Sequence, residues 1–338
     1  MQAAGVRAVV DSRSIAVVGL VEVVAHIPRI YGEFRKLKRA VMAERPDVAV
    51  LTDAPDFNLR LAKFLRRQGV PVVYLIAPQA WAWREGRVKT LRATVDRLLC
   101  IFPFEEEFFT RHGVRATYIG HPLARIVKAS LTREEFRAKF GIPAGKKIVV
   151  LLPGSRVGEI ERHLDGLVDA AGRLGGRDLV FLLALPGGFG NTFSERIRGS
   201  SIKGIVEGVT WDALAHAEMA LAASGTVTIE AALLGCPLVT FYKVNALSWI
   251  LGRWLVRVPF LSMVNLVAGR KIAPELIQGE MTGERIAAEA IRLLDDGAAM
   301  DAMRAGLKEV AAKLASERDP MEMAAGWVEK VVNEKASS

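Results

Sequence analysis

The feature that most limits what this chain can fold into is a repeated alternation of short aliphatic runs with longer amphipathic segments. From residue 44 onward, "DVAVLT" (47–52), "VPVVYLIA" (70–77), "RLLCIF" (97–102) and "RATYIG" (115–120) are runs too short for buried helices and rich in β-branched residues. The segments between them place apolar residues at helical spacing, so the pattern predicts βαβ units and a parallel sheet. After the turn-rich "GIPAGKK" (141–147) the alternation restarts with "IVVLLP", "LVFLLALP", "MALAAS" and "PLVTFY". A chain of 338 residues, 51% hydrophobic and 7% aromatic, suits two such aliphatic lobes better than an aromatic-rich sandwich. The expected units are 1–140, 141–318 and a C-terminal helix 319–338 that packs back on the first unit. Residues 282–335 carry only helical periodicity, interrupted at Pro320, and predict three closing helices.

The two cysteines, Cys100 and Cys236, sit in or beside aliphatic runs and are expected to be small buried core residues in a reducing compartment. A formal charge of +9 calls for an anionic partner, which nucleic acid, anionic lipid or a phosphorylated metabolite could each supply. Nucleic acid is disfavoured, because no recognised motif is present and the cations interleave with long aliphatic side chains. No run long enough to span a bilayer and no signal-peptide pattern occurs, so a cytoplasmic location is expected, with peripheral membrane attachment open.

Three segments of the first half could carry chemistry. "LTDAPDFN" lies where a strand gives way to a helix, the edge at which open α/β sheets hold their ligands. Pro55 suits the first helical turn and Asp56 its dipole, which leaves Asp53 freer to point into a cleft; helix capping is the alternative for either acid. "APQAWAWREGRVK" (77–89) offers Trp81, Trp83 and Arg84 to a sugar face or phosphate, or simply packs a helix onto the sheet. "YIGHP" ends a strand with a glycine that permits close approach and with His121, a ligand contact or a core histidine. Residues 19–41 carry Leu20, Val23, Val24, Ile27, Ile30 and Tyr31 on one helical stripe, followed by Arg35, Lys36, Lys38 and Arg39. That stripe faces either the core or acyl chains and anionic headgroups. Residues 245–265, with Trp249, Arg253, Trp254 and Arg257, have a similar mixture.

In the second half, "KIVVLLPGSRVGEIERH" (147–163) is a strand, a loop with Gly154, Ser155 and Arg156, and a helix. Free amides at a helix start beside a guanidinium suit phosphate oxygens, although a tight turn with a solvated arginine has the same sequence. "MALAASGTVTIEAALLGCP" (219–237) repeats the device with Ser224, Gly225 and Thr226, and Glu230 follows four residues later on the same helix face. Such an acid could accept hydrogen bonds from a ribose diol, or be solvated. "LPGGFGNTF" (185–193) opens no clear helix and is expected to be a loop, and no Walker-type lysine motif is present.

In order and spacing, "AVVGLVEV", "DAPDFN", "WAWR", "FPFE", "GHPL", "LLPGSR", "ASGT" with Glu230, "NLVAGR" and "PELIQ" resemble the lipid-A-disaccharide synthases from about residue 3 to 330. The resemblance implies a GT-B fold of two Rossmann-like lobes facing a cleft, with no metal and no cofactor. It implies transfer of 2,3-diacylglucosamine from its UDP conjugate to 2,3-diacylglucosamine 1-phosphate, with inversion, giving a β-1,6 disaccharide phosphate and UDP at the inner-membrane surface. By the same resemblance Asp53 is the general base and Arg156, Glu230 and Asn265 match polar positions of the donor site; Trp81, Trp83, Arg84 and His121, read from the residues, are the candidates for the acceptor cleft. The family's first strand and a "GExSGD"-type loop precede the segment resembling "MQAAGV". The first lobe is therefore expected to be incomplete at its N-terminus. The competing expectations are an inactive UDP-sugar-binding chain and a related UDP-sugar transferase or epimerase. Acyl-chain length and homo-oligomer formation are left open.

Overall fold

The computed structural model describes residues 5–10, 20–245, 249 and 258–336, with the backbone alone at 20–27. Helix α1 (Leu20–Ala43) leads into β1 (Ala49–Thr52), α2 (Pro55–Arg67), β2 (Val72–Leu75), α3 (Arg87–Thr94), β3 (Arg97–Cys100), α4 (Pro103–Arg111) and β4 (Ala116–Tyr118). The four strands form a parallel sheet in the order β1-β2-β3-β4. Tyr74, Leu98 and Cys100 are fully buried, and α2 lays Leu61, Ala62 and Leu65 on this core. Phe34, Leu37 and Val41 of α1 pack against the same core, so its second half faces the lobe. The side chains of Leu20, Val23, Val24 and Ile27, and Arg253, Trp254 and Arg257, lie outside the described residues.

Two short helices, α5 (Leu123–Ile126) and α6 (Arg133–Lys139), lead to the second sheet. It is built from β5 (Lys147–Leu152), α7 (Val157–Arg173), β6 (Leu179–Leu185), α8 (Gly190–Ile197), β7 (Ile202–Glu207), α9 (Thr210–His216), β8 (Met219–Ala223), α10 (Thr226–Leu233), β9 (Leu238–Tyr242), α11 (Met263–Ala268) and β10 (Glu275–Ile277). All strands are parallel, in the order β10-β9-β8-β5-β6-β7. In β5 every residue after Lys147 is buried, as a central parallel strand covered on both faces requires. Helix α7 buries Ile160, Leu164, Leu167 and Ala171, the spacing of one helical face.

Three features depart from the sequence expectation. The "GNTFSERI" segment is helix α8, not a loop; the N–H groups of Phe189 and Gly190 at its start donate to Glu207 Oε1 from β7, at 3.0 and 2.8 Å. Strands β7 and β10 were not expected. "IKGIVE" buries only Ile202 and Val206 and leaves the rest partly or fully exposed at the sheet edge, and β10 is only three residues long.

The closing helices are α12 (Gly283–Asp295), α13 (Gly297–Leu314) and α14 (Pro320–Ala336). Ala324 and Val331 of α14 join Val73 and Leu99 of the first sheet, and Ile119 just after β4, in one buried cluster. The Arg97 guanidinium lies 4.0 Å from the centre of the Trp327 ring. The crossing segment is tied down by hydrogen bonds from Tyr118 Oη to Lys313 O (2.7 Å), from His121 N to Leu314 O (3.0 Å) and from Arg125 Nη2 to Ser316 O (2.7 Å). Gly120, at φ 86°, is where that segment presses closest: a Cβ there would collide with Ser316. Its close approach is to the chain itself.

Candidate active site

The second sheet fixes where a ligand can enter. From β5 the chain proceeds outward through β6 and β7, then returns to β8 on the other flank of β5 and proceeds outward again. The loops after β5 and β8 therefore leave neighbouring strand ends on divergent paths, and a crevice opens between them. It holds a cavity of ≈ 360 Å³ lined by Gly154, Ser155, Arg156, Glu159, Thr210, Ser224, Gly225, Thr226, Glu230 and Tyr242. All the donor-site residues expected from the sequence except Asn265 meet there.

Each wall has a distinct polar character. At the start of α10 the N–H groups of Gly225, Thr226 and Val227 have no hydrogen-bond partner among the described residues and end on the cavity. The Ser224 hydroxyl donates to Leu261 O at 2.8 Å, which fixes the turn. Glu230 is half-buried and accepts from the Trp211 indole N–H at 3.1 Å. Burial raises its pKa and the Trp211 hydrogen bond offsets part of the rise. On the opposite wall, Glu159 accepts from the Ser155 N–H (3.1 Å) and from Arg156 Nη1 (2.9 Å). Beneath it the fully buried His163 accepts from Lys243 N at 3.0 Å through Nε2 and reaches Pro153 O at 2.6 Å through Nδ1. A neutral ring with its proton on Nδ1 satisfies both, in keeping with a pKa lowered chiefly by burial.

Asn265 does not line this cavity. Its side chain is fully buried: Nδ2 donates to Ala273 O (2.9 Å) and Glu275 Oε1 (2.8 Å), and Oδ1 accepts from Ile272 N (2.8 Å) and Ala273 N (3.0 Å). No bonding capacity is left for a ligand. Glu275 in turn holds the N–H groups of Leu261 and Ser262. Asn265 thus supports the Ser224 turn from behind.

The first lobe presents its own edge. Asp53 follows β1 with φ 51°, and Ala54 follows with φ 40°; Ile76 after β2 (φ 64°) and Arg84 (φ 57°) are also left-handed. Side chains with a Cβ adopt that region at a cost of ~1–3 kcal/mol each, and such strain persists only where the surroundings over-determine it. Here the Asp53 carbonyl accepts from Tyr74 Oη at 2.6 Å and from Asn58 Nδ2 at 2.8 Å. Tyr74 is fully buried, and burial, with Asp53 nearby, holds its hydroxyl protonated well above the usual range. The backbone is pinned while the exposed Asp53 carboxylate makes no hydrogen bond or ion pair among the described residues. Asp56 is differently placed. Its carboxylate takes Arg84 Nη1 (3.0 Å) and Arg87 Nη2 (2.8 Å), whose pull outweighs the opposing effect of burial and lowers its pKa.

The aromatic loop divides likewise. Trp83 is flanked by Arg84 and Arg87, with guanidinium carbons 4.6 and 4.8 Å from its ring centre. Trp81 is turned to packing: its indole donates to Glu105 Oε1 at 2.9 Å and its ring meets Phe104 edge-on. His121 is a core histidine, 4% exposed, with Nδ1 accepting from Leu123 N at 3.1 Å and its ring tilted against Phe102. Burial lowers its pKa to about 4, so it stays neutral in the seam between the lobes. Two acids were missed. Glu105 sits at the third position of α4, after Pro103, and Glu159 at the third position of α7, each an early-helix carboxylate reaching back to backbone N–H groups. That spacing was readable in "FPFE" and "SRVGE".

Comparison with known proteins agrees with this geometry. The profile of the family described as Lipid-A-disaccharide synthetase matches residues 1–326. The lipid-A-disaccharide synthase of Solibacter usitatus is 59% identical over 318 residues, covering 93% of this chain and 83% of its own length. That of Myxococcus xanthus is 44% identical, with the same coverage of both.

The chain belongs to the lipid-A-disaccharide synthase family.

Solved structures extend the likeness in fold alone. A UDP co-structure of S. aureus MnaA has a TM-score of 0.61 at 13% identity and covers 91% of this chain and 80% of its own. A glycosyltransferase from Rickettsia africae has a TM-score of 0.54 at 11% identity, covering 90% and 82%. The lipid-A-disaccharide synthase fold of this chain is thus a two-lobed, GT-B-like arrangement of parallel sheets. Among the described residues, no helix is long and apolar enough to cross a membrane.

Proposed function

We propose that the chain transfers 2,3-diacylglucosamine from its UDP conjugate to the 6-hydroxyl of 2,3-diacylglucosamine 1-phosphate. The observation that carries this reading is the cavity at the β5/β8 crevice, where open amides at the start of α10, Arg156 and Glu230 converge. The diphosphate is held by the Gly225, Thr226 and Val227 amides with Arg156, and Glu230 accepts from the ribose hydroxyls. Uridine diphosphate leaves as the bond from the anomeric carbon to phosphate oxygen breaks. The acceptor oxygen forms the new bond from the opposite face, and its proton passes to the Asp53 carboxylate. The amides and guanidinium stabilise the charge that develops on the leaving phosphate. Trp83 and Arg84, beside Asp53 on the same lobe edge, meet the phosphorylated acceptor.

Such an acceptor is an amphiphile, and the exposed Arg29, Arg35, Lys36 and Arg39 of α1, with Tyr31 at 59% exposure, suit an anionic bilayer surface. Peripheral attachment to the inner membrane is part of this proposal. The test is UDP release from the diacylated donor and acceptor, with flotation on vesicles of anionic lipid. Release only when both substrates are present supports the reading; release without the acceptor, or none, contradicts it.

A further inference from the structure

The anion-binding donors at the two helix starts are not equivalent. At α10 the amides are open. In the loop just before α7 the Ser155 N–H is already taken by Glu159 Oε2 (3.1 Å), and Oε1 of the same carboxylate receives Arg156 Nη1 (2.9 Å) and, more distantly, the Tyr242 hydroxyl (3.4 Å). Glu159 is 9% exposed, and it lies in a notch that exists because residue 154 is glycine. A Cβ on Gly154, which sits at φ 127°, would meet Glu159 Cβ and Oε2 at 2.7 Å. The Arg156 side chain remains 59% exposed and keeps its other donors for the cavity.

We infer that Glu159 is a positioning residue of the donor site: it occupies the Ser155 amide permanently and holds the Arg156 guanidinium against the cavity wall, so that the diphosphate is bound by Arg156 and the α10 amides and not by the Ser155 amide that precedes α7. This rests on the reading of the crevice as a UDP-sugar site and adds a division of labour between its walls. An uncommitted carboxylate on the wall of a diphosphate site would repel it. A carboxylate already committed to a guanidinium and an amide instead fixes a long flexible cation in place, which removes rotamer entropy that binding would otherwise have to overcome.

The test is a calorimetric titration of the whole chain with UDP and, by ligand-observed NMR, with uridine, for wild type, Glu159→Gln, Arg156→Ala and the double variant. Glutamine still accepts from the Ser155 N–H but turns an NH₂ toward the guanidinium, so Arg156 is released. Glu159→Gln is expected to weaken UDP about tenfold and leave uridine unchanged, and the double variant to bind no more weakly than Arg156→Ala. Glu159→Asp, one methylene too short to span both partners, is expected to show the same loss and covers the case in which Glu159→Gln does not fold. Equal losses for UDP and uridine would reveal a merely structural role and overturn the inference. Tighter UDP binding in Glu159→Gln, or additive losses in the double variant, would overturn it as well, since Glu159 would then be a competitor of phosphate or act apart from Arg156. A wild type that binds no UDP would instead remove the donor-site reading itself.

Discussion

Glu105 offers a quantitative test of how burial and hydrogen bonding compete beside the aromatic loop. It is 1% exposed, and its carboxylate accepts from Trp81 Nε1 (2.9 Å) and from the N–H groups of Ile101 and Phe102 (3.2 Å each). Burial raises its pKa from 4.5 to about 7, while the three donors lower it by less. A carboxyl whose folded-state pKa lies above its unfolded value contributes stability that is complete below the unfolded pKa. That contribution is lost as pH rises through the folded one. At ~1.4 kcal/mol per unit, that gap corresponds to about 3 kcal/mol in all, most of it between about pH 5 and about pH 8. Glu105→Gln removes the titration. Urea unfolding of both proteins across that range should show wild type losing about 2–3 kcal/mol relative to the glutamine variant as pH rises. A difference independent of pH, or one of opposite sign, would mean that Glu105 is not held protonated by burial. The three donors would then outweigh burial, and the Trp81 loop would hang on an ionised anchor.

Other substitutions separate binding from support. Glu230→Ala should weaken UDP about tenfold by calorimetry while leaving the thermal midpoint nearly unchanged; unaltered affinity would remove Glu230 from the site. The buried neutral His121 has its pKa lowered from 6.5 to about 4. Its contribution is therefore complete above about pH 6.5 and is lost as pH falls toward about 4, so His121→Phe should flatten the acid side of the stability profile. If both proteins lose stability in parallel over that window, His121 is not the group responsible. Asn265→Ala should cost about 2–4 kcal/mol in denaturant unfolding, because it strands buried donors and acceptors; a neutral effect would mean that solvent reaches the site.

What the sequence conveyed and what it concealed follow from how local each determinant is. Gly154 to Arg156 and Ser224 to Thr226 each lie in a strand, turn and helix contiguous in the chain, so period and turn residues located them. That the two loops share one cavity depends on β5 pairing with β8, about seventy residues apart. The same holds for Asn265, whose character is set by Ala273 and Glu275, and for Glu230, whose partner Trp211 comes from another helix. Helix α8 escaped notice because its opening glycines carry no helical signal and its first N–H groups are satisfied by Glu207 from the following strand. Strand β7 lies at an edge, where the continuous apolar run of a central strand is not required. In "DAPDFN" the division between the acids was legible from Pro55 alone. The reason Asp53 is left free, namely that Arg84 and Arg87 both turn to Asp56, was not.

Asp53 as the base is tested most directly by steady-state UDP release from the diacylated donor and acceptor by wild type and Asp53→Asn, with UDP affinity measured on both. Turnover of Asp53→Asn is expected to fall by about a thousandfold at unchanged UDP affinity. An asparagine variant that releases UDP at close to the wild-type rate would contradict that role.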